Sequence, residues 1–117
     1  MDNKKIGALG ERRAVEFLKR NNYNILAVNY RCRQGEIDII AKQGNTLIFI
    51  EVKTRSSLKF GMGIEAVNYS KQQKIKKVAM NFLNEKKAAF TDLRFDVIDI
   101  MIKDRDTAEI THIKNAF

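Results

Sequence analysis

Asp38, Glu51 and Lys53 are the residues of this chain whose types and spacing could do chemistry together. They share one stretch, Gly35 to Arg55, reading GEIDIIAKQGNTLIFIEVKTR. Side chains alternate along a strand, so in the apolar run Thr46 to Lys53 both Glu51 and Lys53 leave by one face while Ile50 and Val52 leave by the other. Gln43-Gly44-Asn45 is turn chemistry, and so short a connection pairs the run Glu36 to Lys42 antiparallel with the next strand. If the register sets Asp38 opposite Glu51, their Cβ atoms stand about 5 Å apart. Two ionised carboxylates at that spacing repel, and an apolar setting raises the cost unless a cation lies between them. Mg²⁺ or Mn²⁺ suits such a pair, being hard, oxygen-seeking and content with one or two carboxylates, several waters and a substrate phosphate oxygen. Lys53 would then orient or help activate the attacking water and stabilise charge developing on the phosphate. The plainer alternative is a solvated hairpin face on which Glu51 and Lys53 make weak surface pairs. The order of acid, turn, apolar strand and E-x-K-T-R, in a basic chain, favours the metal reading.

At these residues a resemblance emerges. Asp38 followed by Glu51-Val52-Lys53 resembles the PD-(D/E)xK nuclease superfamily, and the segments G-E-I-D-I-I-A and F-I-E-V-K-T-R resemble the YraN family of small bacterial proteins, related to archaeal Holliday junction resolvases. The likeness extends over nearly the whole chain, through Gly10-Glu11, the hairpin, Lys71-Gln72, Arg94-Phe95-Asp96-Val97 and the Ala116-Phe117 ending. It departs at the proline of the superfamily motif, since Ile37 precedes Asp38. The resemblance implies a restriction-endonuclease-like core, a Mg²⁺-dependent endonuclease acting on DNA, branched structures such as Holliday junctions among its substrates, and, by analogy with resolvases, a homodimer.

Composition bounds these readings. A chain of 117 residues is expected to form one domain, residues 1–117, with a single core. No apolar run approaches the length of a membrane span, and the start MDNKKIGALGERR lacks the apolar centre of a secretory signal, so a cytoplasmic protein with no membrane partner is expected. The 22 Lys and Arg against 14 Asp and Glu give a formal charge of +8, which attracts polyanions, most simply nucleic acid. An anionic membrane surface or ribosomal RNA fits the same number. Cys32 is the sole cysteine and His112 the sole histidine, which excludes an intramolecular disulfide and a thiolate metal cluster and leaves a Cys-His pair without an evident third group.

The elements that must position these groups can be read from the apolar spacing. A helix is expected from about Lys5 to Asn21, its face carrying Ala8, Ala14, Val15 and Leu18; Glu11 falls on that same face, where an acid needs a partner. Either Glu11 reaches the metal held by Asp38 and Glu51 as a third ligand, or it pairs with a lysine or arginine. A strand is expected from Tyr23 to Arg31, then the hairpin, then a mobile loop from Ser56 to Gly63 around Gly61-Met62-Gly63, whose spacing is not that of a phosphate-cradling motif. Ser70 is the expected N-cap of a second helix running to about Lys87, with Ile75, Val78, Ala79, Phe82 and Leu83 on one face. Strands are expected at Leu93 to Ile102 and Glu109 to Lys114, with Asp96 paired to Arg94 or a site lysine. This order implies an α/β fold, a mixed β-sheet flanked by α-helices. Arg31 and Arg33 flank the site and, with Arg55, Lys71, Gln72 and Lys74, are the candidate contacts to a nucleic-acid backbone; solvated surface groups are the alternative. Two functions compete: a metal-dependent nuclease, and a non-catalytic nucleic-acid-binding protein that retains the nuclease fold.

Overall fold

The structure is a computed structural model that describes residues 3–56, 67–104 and 106–117. The elements run α1 (Asn3–Arg20), β1 (Asn24–Cys32), β2 (Gly35–Gln43), β3 (Thr46–Ser56), α2 (Tyr69–Lys86), β4 (Asp92–Ile102) and β5 (Ala108–Ile113). The strands form one sheet in the order β1-β2-β3-β4-β5. Only the β3–β4 pair is parallel, and α2 is the crossover that a parallel pair demands. This is the α/β architecture expected of the chain: a mixed five-stranded sheet with a helix on each face. The loop expected around Gly61-Met62-Gly63 lies largely outside the described residues.

Each face of the sheet builds its own core. Ala14 and Leu18 of α1 pack on Ile39, Ile48, Ile50, Ile98 and Ile100, while Ile75, Val78, Ala79 and Phe82 of α2 pack on Ile37, Ile40, Leu47, Phe49 and Val97. Because both faces of β3 are covered, its sequence Leu47-Ile48-Phe49-Ile50 is apolar without alternation, as a doubly covered strand requires. Each such fully buried side chain contributes about 1.5–3 kcal/mol of transfer free energy.

The buried line of α1 keeps the expected Ala14 and Leu18 but not Ala8. Ala8 is exposed, and the inward residues are Gly10, Ala14 and Leu18, spaced four apart along one stripe. Gly10 belongs there because of what it lacks. A Cβ at this position would overlap the Thr54 side chain, so glycine lets the helix sit directly on β3 beside Lys53. The expected N-cap is also displaced: Asn68, not Ser70, caps α2, its Oδ1 accepting the Lys71 N–H at 2.9 Å. Asn68 has the extended backbone of a cap, whereas Ser70 already lies within the first helical turn.

Candidate active site

The two strands of the hairpin turn at Gly44-Asn45, with Gln43 opposite Thr46 and Gly44 at φ +60°, the left-handed backbone that a two-residue hairpin turn assigns to glycine. Counting back along this ladder reaches Ile39 opposite Ile50. One further step would set Asp38 beside Glu51, but there β2 turns over. Ile37 and Ile40 lie in the α2-side core while Ile39 and Ala41 lie in the α1-side core, so strict alternation breaks at Asp38. On β1 the residue between the pairs Val28–Ile39 and Tyr30–Ile37 is Asn29, and it takes a left-handed φ of 54°. Turned out of the regular pleat, the Asp38 carboxylate accepts the Val52 N–H through Oδ2 at 2.7 Å, a side chain standing where a strand carbonyl would otherwise serve.

Glu51 continues the alternation of Leu47 and Phe49 and so points to the α2 side, where it is nearly fully buried. Two lysines meet it. Lys71 Nζ, from the first turn of α2, lies 3.2 Å from Glu51 Oε1, and Lys53 Nζ lies 3.8 Å from the same oxygen. Burial, then the Glu51 charge, and to a smaller degree Glu11 and Glu36, push the Asp38 carboxyl up to about 7 against the opposing Val52 hydrogen bond. Burial, and then the neighbouring Lys71 ammonium, lower the pKa of Lys53. For Lys71, burial acts downward but is outweighed by its bond to Lys53 and by the Glu51 and Asp38 charges, so its pKa is raised. The more buried lysine thus yields its proton more readily of the two.

Asp38 and Glu51 fit a hard divalent cation through the chemistry of their donors. Both are carboxylates, and the upward push on Asp38, from burial first and from the Glu51 charge second, is one that an added cation would offset. Among the described residues no group of three or more His, Cys, Asp or Glu stands at metal-holding spacing. Glu11 is half-buried and near enough to act on Asp38, and among the described residues it forms no ion pair.

The six basic and polar residues expected at the nucleic acid are placed unequally. Arg31 is exposed and bonded to Glu36 at 2.6 Å, and Arg33 is exposed in the β1–β2 turn. Arg55 is turned inward, its Nη2 2.6 Å from Asp99 Oδ2, which fits a role in the fold rather than an open phosphate contact. Gln72 donates to the Val67 carbonyl, Lys74 is exposed, and Lys71 belongs to the carboxylate cluster itself. The place of Lys71 was missed in the pattern of the sequence, yet a signal existed: a lysine in a first helical turn that holds no acid opposes the helix dipole and needs a carboxylate elsewhere.

A second polar cluster lies apart from the first. Asp96, fully buried on β4, accepts from Arg94 Nε and Nη2 at 2.9 Å each, from His112 Nε2 at 2.7 Å and from the Asn115 N–H at 2.9 Å. Burial alone would raise its pKa, but His112, Arg94 and the Asn115 N–H lower it on balance. The expected Asp96–Arg94 pair is thus formed, and His112 is a structural residue edged by the Phe17 and Tyr23 rings. Cys32 and His112 sit on the two opposite edge strands of the sheet, about 19 Å apart at ordinary strand spacing, which removes a Cys-His pair.

Comparison with known proteins gives one consistent result. Residues 10–100 match the model of the uncharacterised protein family UPF0102. A UPF0102 protein of Caldicellulosiruptor saccharolyticus is 48% identical over all of both chains. One from Alkaliphilus oremlandii is 50% identical, covering 98% of this chain and 99% of its own, and one from Dictyoglomus turgidum is 44% identical over the full length of both.

Proposed function

The chain belongs to the uncharacterised protein family UPF0102, and from the carboxylate–lysine cluster we propose that it is a divalent-metal-dependent nuclease hydrolysing phosphodiester bonds in DNA. The observation that carries this reading is the half-buried Asp38 beside Glu51 with Lys53 next to them, two carboxylates placed so that burial and then the Glu51 charge raise the Asp38 pKa, a strain that a shared cation would relieve. Asp38 and Glu51 are the residues that would hold Mg²⁺ or Mn²⁺, with Glu11 as a third oxygen donor. When bound, such an ion supplies Lewis-acid polarisation of a phosphate oxygen and lowers the pKa of a bound water. Lys53, its pKa lowered by burial and by Lys71, is suited to orient the attacking water and to offset charge developing on the phosphate. The +8 chain, with Arg33 and Lys74 exposed, supplies the long-range attraction for a nucleic-acid backbone. A branched substrate, a symmetric homodimer and a cytoplasmic setting belong to the same reading through the resolvase likeness.

One observation favours a second reading, a nucleic-acid-binding protein without turnover: among the described residues the two acids lack a third at metal-holding spacing. A cleavage assay on branched, flapped, single-stranded and duplex DNA with Mg²⁺ or Mn²⁺, beside binding measured in EDTA, separates the two. The nuclease reading expects metal-dependent cutting that Lys53→Ala reduces about 10²–10³-fold while DNA binding persists. Binding without cutting by the unaltered protein would establish the second reading.

A further inference from the structure

Lys71 is the cation of this site that its own helix opposes. The first turn of a helix presents unpaired N–H groups and a positive dipole end, which favours acids; α2 has no acid in that turn and instead places Lys71 there, directly behind the Asn68 cap. What holds the lysine is Glu51. Lys71 Nζ is nearer the shared Oε1 than is Lys53 Nζ, at 3.2 Å against 3.8 Å, although the Lys71 side chain is 37% exposed and that of Lys53 only 22%. The nearer ammonium is thus also the one on the more solvated stem. Lys53 stands on the central strand of the sheet and is the more enclosed of the two.

We propose, on the basis of the metal-dependent reading, that Lys71 is an exchangeable internal counter-ion that occupies Glu51 until a divalent cation displaces it. Glu51 cannot offer the same oxygen at full strength to an ammonium and to a metal ion, so the two compete. Lys71 holds the buried carboxylate neutral while the site is empty of metal and limits metal affinity. On displacement its Nζ is released at the entrance of the site, where its charge becomes available to a substrate phosphate together with the α2 N-terminus. This role differs from that of Lys53, whose charge remains with the acids.

Calorimetric titration of the full chain with Mn²⁺ alone, in the absence of DNA, tests the exchange. Lys71→Gln should bind Mn²⁺ about three- to tenfold more tightly than the unaltered protein, the range expected for removing one competing ion pair. Lys71→Arg should stay close to the unaltered protein because it keeps a cation on Glu51. Lys77→Gln, which removes an equal charge from an exposed position of the same helix, should leave the affinity unchanged. Equal or weaker affinity in Lys71→Gln, or the same gain in Lys77→Gln, overturns the exchange and leaves the metal reading intact, provided that the unaltered protein binds Mn²⁺ and Asp38→Asn does not. Absence of Mn²⁺ binding in both the unaltered protein and Lys71→Gln overturns the metal reading and the exchange with it.

Discussion

Asp38 on β2 and Asp96 on β4 flank the central strand at the level of Ile50 and Glu51, and the sheet buries the two acids in opposite ways. Asp96 is surrounded by donors: a two-point guanidinium contact, an imidazole N–H and a backbone N–H occupy its oxygens, and its pKa falls despite full burial. Asp38 takes one backbone N–H and faces a second carboxylate, and its pKa rises. Asp96 is fully buried and Asp38 only half-buried, so burial alone would order the two pKa shifts the other way, and the difference lies in how much positive charge and how many donors the fold supplies. An acid that the fold satisfies completely belongs to stability. One that keeps a single backbone donor and no cation of its own is open to a cation from outside, which is why the two clusters predict different consequences when each is cut.

The largest contrast is expected from removing the two acids themselves. Asp96→Ala strands Arg94 and His112 and should cost about 3–5 kcal/mol in urea unfolding while leaving Mn²⁺ affinity alone. Asp38→Asn should do the reverse: at pH 8 it should gain about 1 kcal/mol by relieving repulsion at a site still open to water, and lose Mn²⁺ binding. Equal destabilisation by the two substitutions would erase the distinction.

The helix seat on β3 comes next in size. Gly10→Ala inserts a Cβ into the Thr54 side chain and should cost about 1–3 kcal/mol, the range for overpacking, because α1 must lift from the strand. Since the same contact carries Glu11 toward Asp38, Mn²⁺ affinity should weaken in this variant as well. A melting temperature equal to that of the unaltered protein would show that the close approach is dispensable.

The pH dependence sharpens the comparison further. The Asp38 carboxyl titrates near 3.8 in the unfolded chain and at about 7 in the folded one, so between those values the folded protein binds the extra proton. Its stabilising contribution is therefore full below about pH 4 and lost as pH rises through about 7. Asp96, with a lowered pKa, has the opposite sign, contributing above the ordinary carboxylate range and losing that contribution as the solution is acidified. Stability of the unaltered protein minus that of Asp38→Asn should accordingly fall between pH 4 and 7 and then level off. In the same window the apparent Mn²⁺ affinity should rise by about tenfold per pH unit, because one proton leaves for each metal bound. A flat affinity profile across pH 5 to 7 would contradict the site.

Glu11→Gln should give the smallest effect. With no ion pair to break among the described residues, it should change stability by less than about 0.5 kcal/mol, the range for substitutions that leave no buried charge unpaired. As a ligand to the metal it should lower Mn²⁺ affinity, and as a neighbouring charge it should let Asp38 ionise at lower pH. A melting temperature far below that of the unaltered protein, with unaltered metal affinity, would sink the ligand assignment.

Much of this site was legible from local pattern. Strand periodicity sends Glu51 and Lys53 to one face, the Gly44-Asn45 turn fixes where the hairpin closes, and the resulting register runs as far as Ile39 opposite Ile50, the neighbours of Asp38 and Glu51. The Arg94–Asp96 pair is two residues apart on one strand, hence on one face, and was equally readable. Both helices and all five strands follow from period and punctuation in the same way.

What the sequence could not decide depends on contacts between distant elements. The apolar stripe of α1 holds at Ala14 and Leu18 but not at Ala8, because Gly10, the residue of closest approach, has no side chain to contribute to a hydrophobic pattern. The inversion of β2 at Asp38 follows from pairing with β1 at Asn29 and from the cores on either side, none of which lies within the local window. The diversion of Arg55 to Asp99 requires the parallel docking of β4 on β3, and the convergence of Lys71 on Glu51 requires α2 to cross the sheet between them. By itself the sequence determined which groups could do chemistry, because residue type and strand alternation are local properties. Tertiary structure alone decided which charges those groups would meet, since charge balance in a buried site is a sum over elements far apart in the chain.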